Sequence, residues 1–409
     1  MDDHFESSMK TSAAPSAEES NRNHKTTNVF LVAGEESANQ YALRLIKKGS
    51  GLNIKYSGIG FPSLKEHGFE MIFDAKRLSV MGGVEVLKKY GTIKEAFNVS
   101  LNHIKAKKPD VVLLIDFGGF NLKLAKSIKK WNPQQKIYYF ISPKFWAWRE
   151  SRVERVKKWV DKMFVIHPFE VNFYKKHDYN FSEFVGHPLN QELKDDQFDL
   201  DLLSKKKKEL GFNLEFPSLC LLFGSRESEI SRLMPIFLQT ADSILKKNKK
   251  LNIFTVVPPS WSIEDFKARV ISINKELPIV YLQSPDPMDM MALADVALVA
   301  SGTATLQLGL LEKPMAIGYK MNPISMFLAK KLVKGVKHAG LVNILSEKEV
   351  SKEFLQGELI VEDMQEYLEG LLYNKETYLK QKSDLKGLKE SLGDKNPFEV
   401  INDEILKLN

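Results

Sequence analysis

The chain has 409 residues, of which 43% are hydrophobic and 27% charged, a composition typical of globular proteins and a length that suits two moderate domains. Its formal net charge of +7 suits nucleic acid, anionic lipid or a phosphorylated substrate, but the absence of zinc-ligand spacing and aromatic-basic RNA motifs argues against nucleic acid. A single Cys220 excludes an internal disulfide, and no stretch approaches the roughly 20 apolar residues of a membrane-spanning helix, so we expect a cytoplasmic protein.

Residues 1–26 are rich in Ser, Asn and charge, and we expect them to form a disordered leader. From residue 27 onward, short apolar runs alternate with helical patterns, which is typical of parallel sheets with crossover helices. Residues 27–187 are predicted to form a first Rossmann-like domain. Its expected strands are Asn28–Ala33, Asp110–Ile115, Lys136–Ile141 and Lys162–Ile166.

Residues 188–345 are predicted to form a second Rossmann-like domain, with a cleft between the two. Residues 346–409 are expected to be helical, and the apolar face of their last segment packs either on the first domain or on a partner subunit. The expected strands of the second domain are Ser218–Leu222, Asn252–Val257, Ile279–Leu282, Val296–Val299 and Met315–Tyr319.

Ligands of such open sheets bind beyond the carboxyl ends of the strands, so the residues after each apolar run are the candidates. Glu35 and Ser37 follow the first strand, either as part of a helix cap or as functional groups. Asp116 follows Ile115 beside two glycines, either as a general base or as the cap of the next helix. His187, on the connection between the domains, is expected to contact ligand.

Two loops of the second half place small and hydroxyl-bearing residues at helix starts. They are Gly224-Ser225-Arg226 and Ser301-Gly302-Thr303. Backbone N–H groups and the helix dipole favour a phosphate there, and Arg226 adds a positive charge. Both loops therefore point to a nucleotide diphosphate.

An apolar segment with flexible glycines lies upstream, at residues 78–87. It contains Met81 and Val84 and is followed by Lys88 and Lys89. It is either a core helix or a contact for an acyl chain or a bilayer.

In chain order these segments resemble the lipid-A-disaccharide synthases, inverting glycosyltransferases of the two-domain GT-B fold. The resemblance covers about residues 29–345 and is carried by AGEES, RLSVMGGVEVL, PDVVLLIDFGGFN, SPKFWAWR, HPFEVNFY, FVGHPL, FGSRESE, ASGTATLQ, KPMAIGYK and LVNIL.

The resemblance implies transfer of 2,3-diacylglucosamine from its UDP donor to the 6-hydroxyl of 2,3-diacylglucosamine 1-phosphate, without a metal or other cofactor. It implies that Asp116 is the base, that Glu35 and Ser37 form the essential first loop, and that Arg226 binds the diphosphate. The remaining expected contacts are Gly224, Ser225, Ser301, Gly302, Thr303, Gln307 and His187 for the UDP-sugar, and Met81, Val84, Lys88, Lys89 and Asn121 for acceptor or membrane.

The implied setting is lipopolysaccharide synthesis in a Gram-negative cell, at an anionic membrane surface on the cytosolic face of the inner membrane. The implied assembly is a homodimer that exchanges its C-terminal segments. Two alternatives are a divergent paralogue that acts on another UDP-sugar and a non-catalytic protein that binds a UDP-sugar or lipid.

The chain departs from the family pattern at several positions. Ala38-Asn39 replaces Gly-Asp in the first loop, and Gly118-Gly119 replaces a proline and a second carboxylate. Gln307 stands where a ribose-binding Glu is expected, and an amide still donates to and accepts from a ribose diol. Phe223 and Val342 each replace a proline. We expect a divergent but active enzyme, because Glu35, Asp116 and Arg226 are all present.

Overall fold

The computed structural model describes residues 25–78, 90–146, 150–321 and 338–408. Within these ranges the chain forms two parallel β-sheets flanked by helices, which confirms the predicted α/β class. The nine predicted strands are all present, to within one residue at either end. No helix in these ranges combines the length and apolar character needed to cross a membrane.

The first sheet has seven strands in the order β3-β2-β1-β4-β5-β6-β7. Its central strands are continuous apolar runs because both faces of a parallel sheet are buried. The strands are β1 Thr27–Ala33, β2 Ile54–Gly60, β3 Glu70–Asp74, β4 Val111–Ile115, β5 Lys136–Phe140, β6 Lys162–Val165 and β7 Ser182–Phe184.

Helices cover both faces of this sheet. The described helices are α1 Glu36–Lys48, α2 Tyr90–Lys107, α3 Gly118–Trp131, α4 Val153–Trp159 and α5 Pro168–Lys176. Helices α2, α3 and α4 pack on the face that contains Val112 and Leu114, whereas α1 packs on the face that contains Leu113 and Ile115. The alternation follows from the two-residue period of a strand.

The second sheet has six strands in the order β10-β9-β8-β11-β12-β13. The strands are β8 Ser218–Leu222, β9 Asn252–Val256, β10 Ile279–Leu282, β11 Val296–Ala300, β12 Met315–Tyr319 and β13 Glu353–Leu355. Its described helices are α6 Leu200–Glu209, α7 Glu227–Asn248, α8 Ile263–Ile273, α9 Pro287–Met291, α10 Thr303–Leu310, α11 Leu341–Ser346, α12 Val361–Tyr373, α13 Lys375–Lys386 and α14 Leu388–Ser391. Strand β13 lies in the C-terminal segment that we expected to be helical.

The last described helix, α15 Pro397–Leu406, returns to the first domain of the same chain and packs on α1. Its Asn402 is buried; the side-chain amide donates to the carbonyl of Leu45 at 3.0 Å and accepts from the hydroxyl of Tyr56 at 2.5 Å. Within the described residues, the chain therefore crosses between the domains twice. The two crossings lie side by side, since the N–H of His187 donates to the carbonyl of Leu392 at 3.0 Å.

Candidate functional site

The carboxyl ends of β1 and β4 bring the first predicted carboxylates together. The two strands are neighbours in the sheet, so the loops that follow them lie side by side. Burial raises the pKa of Asp116 from its ordinary value of 3.8 to about 6, and the negative charge of Glu35 acts in the same direction. The positive charge of Lys144 and the N–H of Phe117 oppose this shift. Asp116 is thus a carboxylate poised to accept a proton near neutral pH.

Asp116 belongs to a turn with unusual backbone geometry. Asp116 and Phe117 have φ angles of 45° and 46°, so two consecutive non-glycine residues adopt the left-handed conformation. The ring of Phe117 lies against Gly34 of the first loop, where an added Cβ would approach its Cδ1 to 2.5 Å. A glycine is therefore required at residue 34, and the loop after β1 packs directly against the loop after β4.

The first loop leaves its polar side chains exposed. Glu35 occupies the N-cap position of α1, but within the described residues its carboxylate makes no capping hydrogen bond. Ser37 is exposed on the first turn. Both side chains are therefore open to solvent at the edge where Asp116 lies.

Two residues assigned to ligand contacts lie in the interior instead. Asn121 is fully buried, and its amide donates to the carbonyls of Ile115 and Asp116 at 3.2 and 2.8 Å. His187 is only 3% exposed, and its Nδ1 accepts from the N–H of Leu189 at 3.1 Å. Burial lowers the pKa of His187 to about 4, so the ring is neutral at physiological pH. In this structure both residues bind protein groups.

The loop after β8 differs from the expected open phosphate cradle. Oε2 of Glu229 accepts from the backbone N–H groups of Ser225 and Arg226 at 3.2 and 3.4 Å. Gly224 makes room for this carboxylate, because its φ is +99° and a Cβ there would lie 2.6 Å from Oε2. The two amides are therefore occupied by an internal anion. The Arg226 side chain remains 80% exposed, and Nη1 lies 3.3 Å from Glu229.

The loop after β11 is open. Gly302 and Thr303 are exposed, and a Cβ on Gly302 would meet no described atom within 4 Å. Ser301 holds the loop in place through two hydrogen bonds. Its N–H donates to the carbonyl of Gly318 at 3.0 Å, and its hydroxyl donates to the carbonyl of Ala339 at 2.8 Å. Gln307 is half-buried one turn further along α10. Strands β8 and β11 are neighbours, so this loop and Arg226 share one edge of the sheet.

A buried carboxylate that our sequence analysis missed supports this loop. Glu353 of β13 is 8% exposed and accepts from the N–H groups of Ala339 and Gly340 at 2.7 and 2.8 Å. Asn343 also donates to Glu353 at 2.8 Å. These bonds fix the position of Ala339, whose carbonyl accepts the hydrogen bond from the Ser301 hydroxyl. A single Glu between Lys352 and Phe354 gave no sign of this role.

Four of the predicted residues, Met81, Val84, Lys88 and Lys89, lie outside the described residues. Among the described residues, no group of three or more His, Cys, Asp or Glu side chains is arranged to hold a metal ion.

The family model for lipid-A-disaccharide synthetase matches residues 29–398. The chain belongs to this family. A lipid-A-disaccharide synthase 1 of Legionella pneumophila (strain Paris) is 37% identical over 371 residues, covering 89% of this chain and 93% of the relative. A lipid-A-disaccharide synthase of Nitrosococcus oceani is 35% identical over 368 residues, covering 89% of this chain and 92% of the relative.

Solved structures confirm the GT-B arrangement of this lipid-A-disaccharide synthase family member. MurG of Acinetobacter baumannii has a TM-score of 0.55 at 15% identity, covering 94% of this chain and all of MurG. A UDP-GlcNAc 2-epimerase of Neisseria meningitidis, bound to UDP-GlcNAc, has a TM-score of 0.60 at 11% identity, covering 93% of this chain and 99% of the epimerase. At these identities the likeness shows the fold alone. Family membership makes the chain a glycosyltransferase, and the shared name of the relatives does not favour our two alternatives.

Proposed function

We propose that this enzyme transfers 2,3-diacylglucosamine from UDP to the 6-hydroxyl of 2,3-diacylglucosamine 1-phosphate, with inversion at the anomeric carbon. The observation that carries the proposal is the position of Asp116, a half-buried carboxylate with a raised pKa that follows β4, next to the loop after β1 that contains Glu35. The family and the named activity of its relatives supply the substrate class.

The acceptor's 6-hydroxyl oxygen forms a bond to the anomeric carbon of the donor, and the bond from that carbon to the β-phosphate oxygen breaks. Asp116 takes the hydroxyl proton, and the electron pair of the broken bond leaves with UDP. The negative charge of Glu35 makes Asp116 a stronger base by raising its pKa. Ser37, exposed on the first turn of α1, presents a hydroxyl to the acceptor from the same loop.

The diphosphate binds at the open N-terminus of α10. The exposed Gly302 and Thr303 offer backbone amides there, whereas Glu229 occupies those of the Ser225 loop. Arg226 reaches the diphosphate with its exposed guanidinium and stabilises the negative charge that develops on the leaving UDP. Gln307, on the same helix, donates to and accepts from the ribose diol.

The first domain docks on an anionic membrane surface through its basic face, defined as helices α2, α3 and α4. These helices carry ten Lys or Arg residues and two acidic ones. Their formal net positive charge therefore exceeds the +7 of the whole chain. Lys123 and Lys130 of α3 are exposed. Anionic lipid attracts such a surface by about 1 kcal/mol per Lys or Arg. We therefore propose the cytosolic face of the inner membrane as the surface on which the enzyme docks.

The reaction is tested by UDP release from purified enzyme given UDP-2,3-diacylglucosamine and 2,3-diacylglucosamine 1-phosphate in detergent micelles. We expect release that needs both substrates and is lost in Asp116→Asn, with Asp110→Asn at the opposite end of β4 as the matched control. Unchanged turnover of Asp116→Asn would contradict the assignment of the base. Absence of release from the wild-type enzyme would contradict the substrates.

Docking is tested by sedimentation with phosphatidylglycerol vesicles, using neutral phosphatidylcholine vesicles for comparison. Lys123→Glu/Lys130→Glu should weaken binding to anionic vesicles by about 30-fold or more, since it removes about 2 kcal/mol and adds repulsion. Lys205→Glu/Lys208→Glu on α6 changes the net charge equally on the second domain and should bind as the wild type does. An equal loss of vesicle binding in both variants would show that binding depends on the net charge of the protein and not on the basic face.

A further inference from the structure

The carbonyl oxygen of Asp116 receives hydrogen bonds that the reaction itself does not require. The hydroxyl of Tyr139 donates to it from β5, and Nδ2 of Asn121 donates to it at 2.8 Å from α3. Nδ2 of Asn121 also donates to the carbonyl of Ile115 at 3.2 Å. Both side chains are fully buried. Two elements that flank β4 therefore converge on the peptide unit that carries Asp116.

These donors act where the backbone is strained. Asp116 and Phe117 both have positive φ, a conformation that non-glycine residues adopt only when their surroundings impose it. The N–H of Asp116 donates to the carbonyl of Phe140 at 3.0 Å, so β5 holds this residue from a second side. With the carbonyl released, the turn is free to relax, and the carboxylate would move relative to Glu35 and Lys144.

Tyr139 reaches this carbonyl because of the strand register. It is paired with Leu114 on β4 and packs in the same core cluster, on the face covered by α3. Tyr138, the preceding residue, points to the opposite face and packs on Phe164, with ring centroids 5.7 Å apart. The chain thus contains two adjacent buried tyrosines, of which one bonds the Asp116 turn.

We propose that Tyr139 and Asn121 are positioning residues of the glycosyl transfer, which fix the carbonyl of Asp116 so that the strained turn presents the carboxylate to the acceptor hydroxyl. The inference rests on the proposed role of Asp116 as the base. It assigns to Asn121 a function through the backbone rather than a contact with the acceptor or membrane.

The test is steady-state kinetics of Tyr139→Phe, which keeps the ring and removes the donor, with Tyr138→Phe as the matched control. We expect kcat of Tyr139→Phe to fall about 10- to 100-fold, because misplacement of a reacting group by an ångström has costs of that order. KM for both substrates should stay within about twofold of wild type, since the turn contributes nothing to ground-state binding. Tyr138→Phe should retain wild-type kinetics.

The pH profile separates positioning from a general loss of structure. The acid limb of kcat/KM reports the pKa of Asp116, and in Tyr139→Phe it should move by about half a pH unit or more because the carboxylate shifts relative to its charged neighbours. Asn121→Ala removes the other donor and should show the same two effects. Wild-type kcat and an unmoved acid limb in either variant would overturn the inference.

A double variant distinguishes this inference from the proposed function. In an Asp116→Asn background, Tyr139→Phe should leave the residual rate unchanged, because the group that it positions is already gone. A further loss as large as in the wild-type background would show that Tyr139 acts elsewhere. Full turnover of Asp116→Asn alone would overturn the base assignment, and with it the inference.

Discussion

Replacement of Asp116 by Asn should make the enzyme less active and more stable at neutral pH. The folded protein raises the pKa of this carboxyl from 3.8 to about 6, mainly through burial, so the fold favours its protonated form. A group whose pKa is raised on folding stabilises the fold at low pH, and that contribution is lost as the pH rises from about 4 through about 6. At pH 7.5 the ionised carboxylate is therefore a destabilising element.

The magnitude follows from the two pKa values. A rise of about two units in the pKa of Asp116 means that its ionisation destabilises the folded protein by about 3 kcal/mol at pH 7.5. At pH 5.0 the unfolded chain is ionised but the folded chain is mostly protonated, so the destabilisation is about 1.6 kcal/mol. Asn has a similar shape, does not titrate and tolerates the left-handed conformation. Its stability advantage over Asp should thus shrink by about 1.4 kcal/mol between pH 7.5 and pH 5.0.

The assay is urea denaturation of wild type and Asp116→Asn at pH 5.0 and 7.5, followed by the fluorescence of the tryptophans, together with UDP release at pH 7.5. The pH-dependent part of the difference isolates the carboxyl from any uniform effect of Asn on the turn. A variant that is less stable than wild type at pH 7.5, or whose advantage is independent of pH, would refute the reasoning.

Three further predictions concern the two loops and the C-terminal helix. Glu35→Gln removes a negative charge that raises the pKa of Asp116, so the acid limb of the kcat/KM profile should move to lower pH. Glu229→Gln removes the internal anion from the donor loop, so UDP should bind more tightly by a few-fold in isothermal titration calorimetry. Asn402→Ala leaves the buried Tyr56 hydroxyl and the Leu45 carbonyl without this partner, which should lower the free energy of unfolding by about 2 to 4 kcal/mol in urea.

Each of these variants has a neighbour as its control. Glu36→Gln should leave the acid limb in place, Glu227→Gln should leave UDP affinity unchanged, and the exposed Asp403→Ala should change stability little. An acid limb that moves to higher pH in Glu35→Gln would contradict the carboxylate pair. Weaker UDP binding by Glu229→Gln would show that this carboxylate orients Arg226 and does not compete with the diphosphate.

The central strands were predictable because their apolar runs are long and bounded by turn residues. The four strands that the sequence analysis missed lack this signal. Strand β7 has three half-buried residues and lies at a sheet edge, and β13 begins with Glu353. The buried Glu353 accepts hydrogen bonds from Ala339, Gly340 and Asn343, which lie 10 to 14 residues earlier and reach it only through the fold. Local composition contains no trace of such pairings.

The candidate site was predictable in position but not in its internal bonding. A carboxylate after an apolar strand indicates an edge position, which located Asp116 and Glu35. The Gly224–Arg226 sequence shows that amides are present at a helix start, but not that Glu229 occupies them. The basic face was missed because its basic residues are spread over three helices that are separated in the sequence. The contiguous run Lys205–Lys208 is more conspicuous in the sequence, yet it lies on one helix of the second domain.

The return of α15 to the first domain has a consequence for how the protein is made. Its Phe398, Ile401 and Ile405 complete the core beneath α1, although the strands of that core begin at residue 27. During synthesis the ribosome must translate the whole second domain before this helix emerges. Until then the nascent first domain exposes an apolar groove. Folding of the two domains is therefore not strictly sequential, and the amino-terminal half reaches its final form only after residue 406 has left the ribosome.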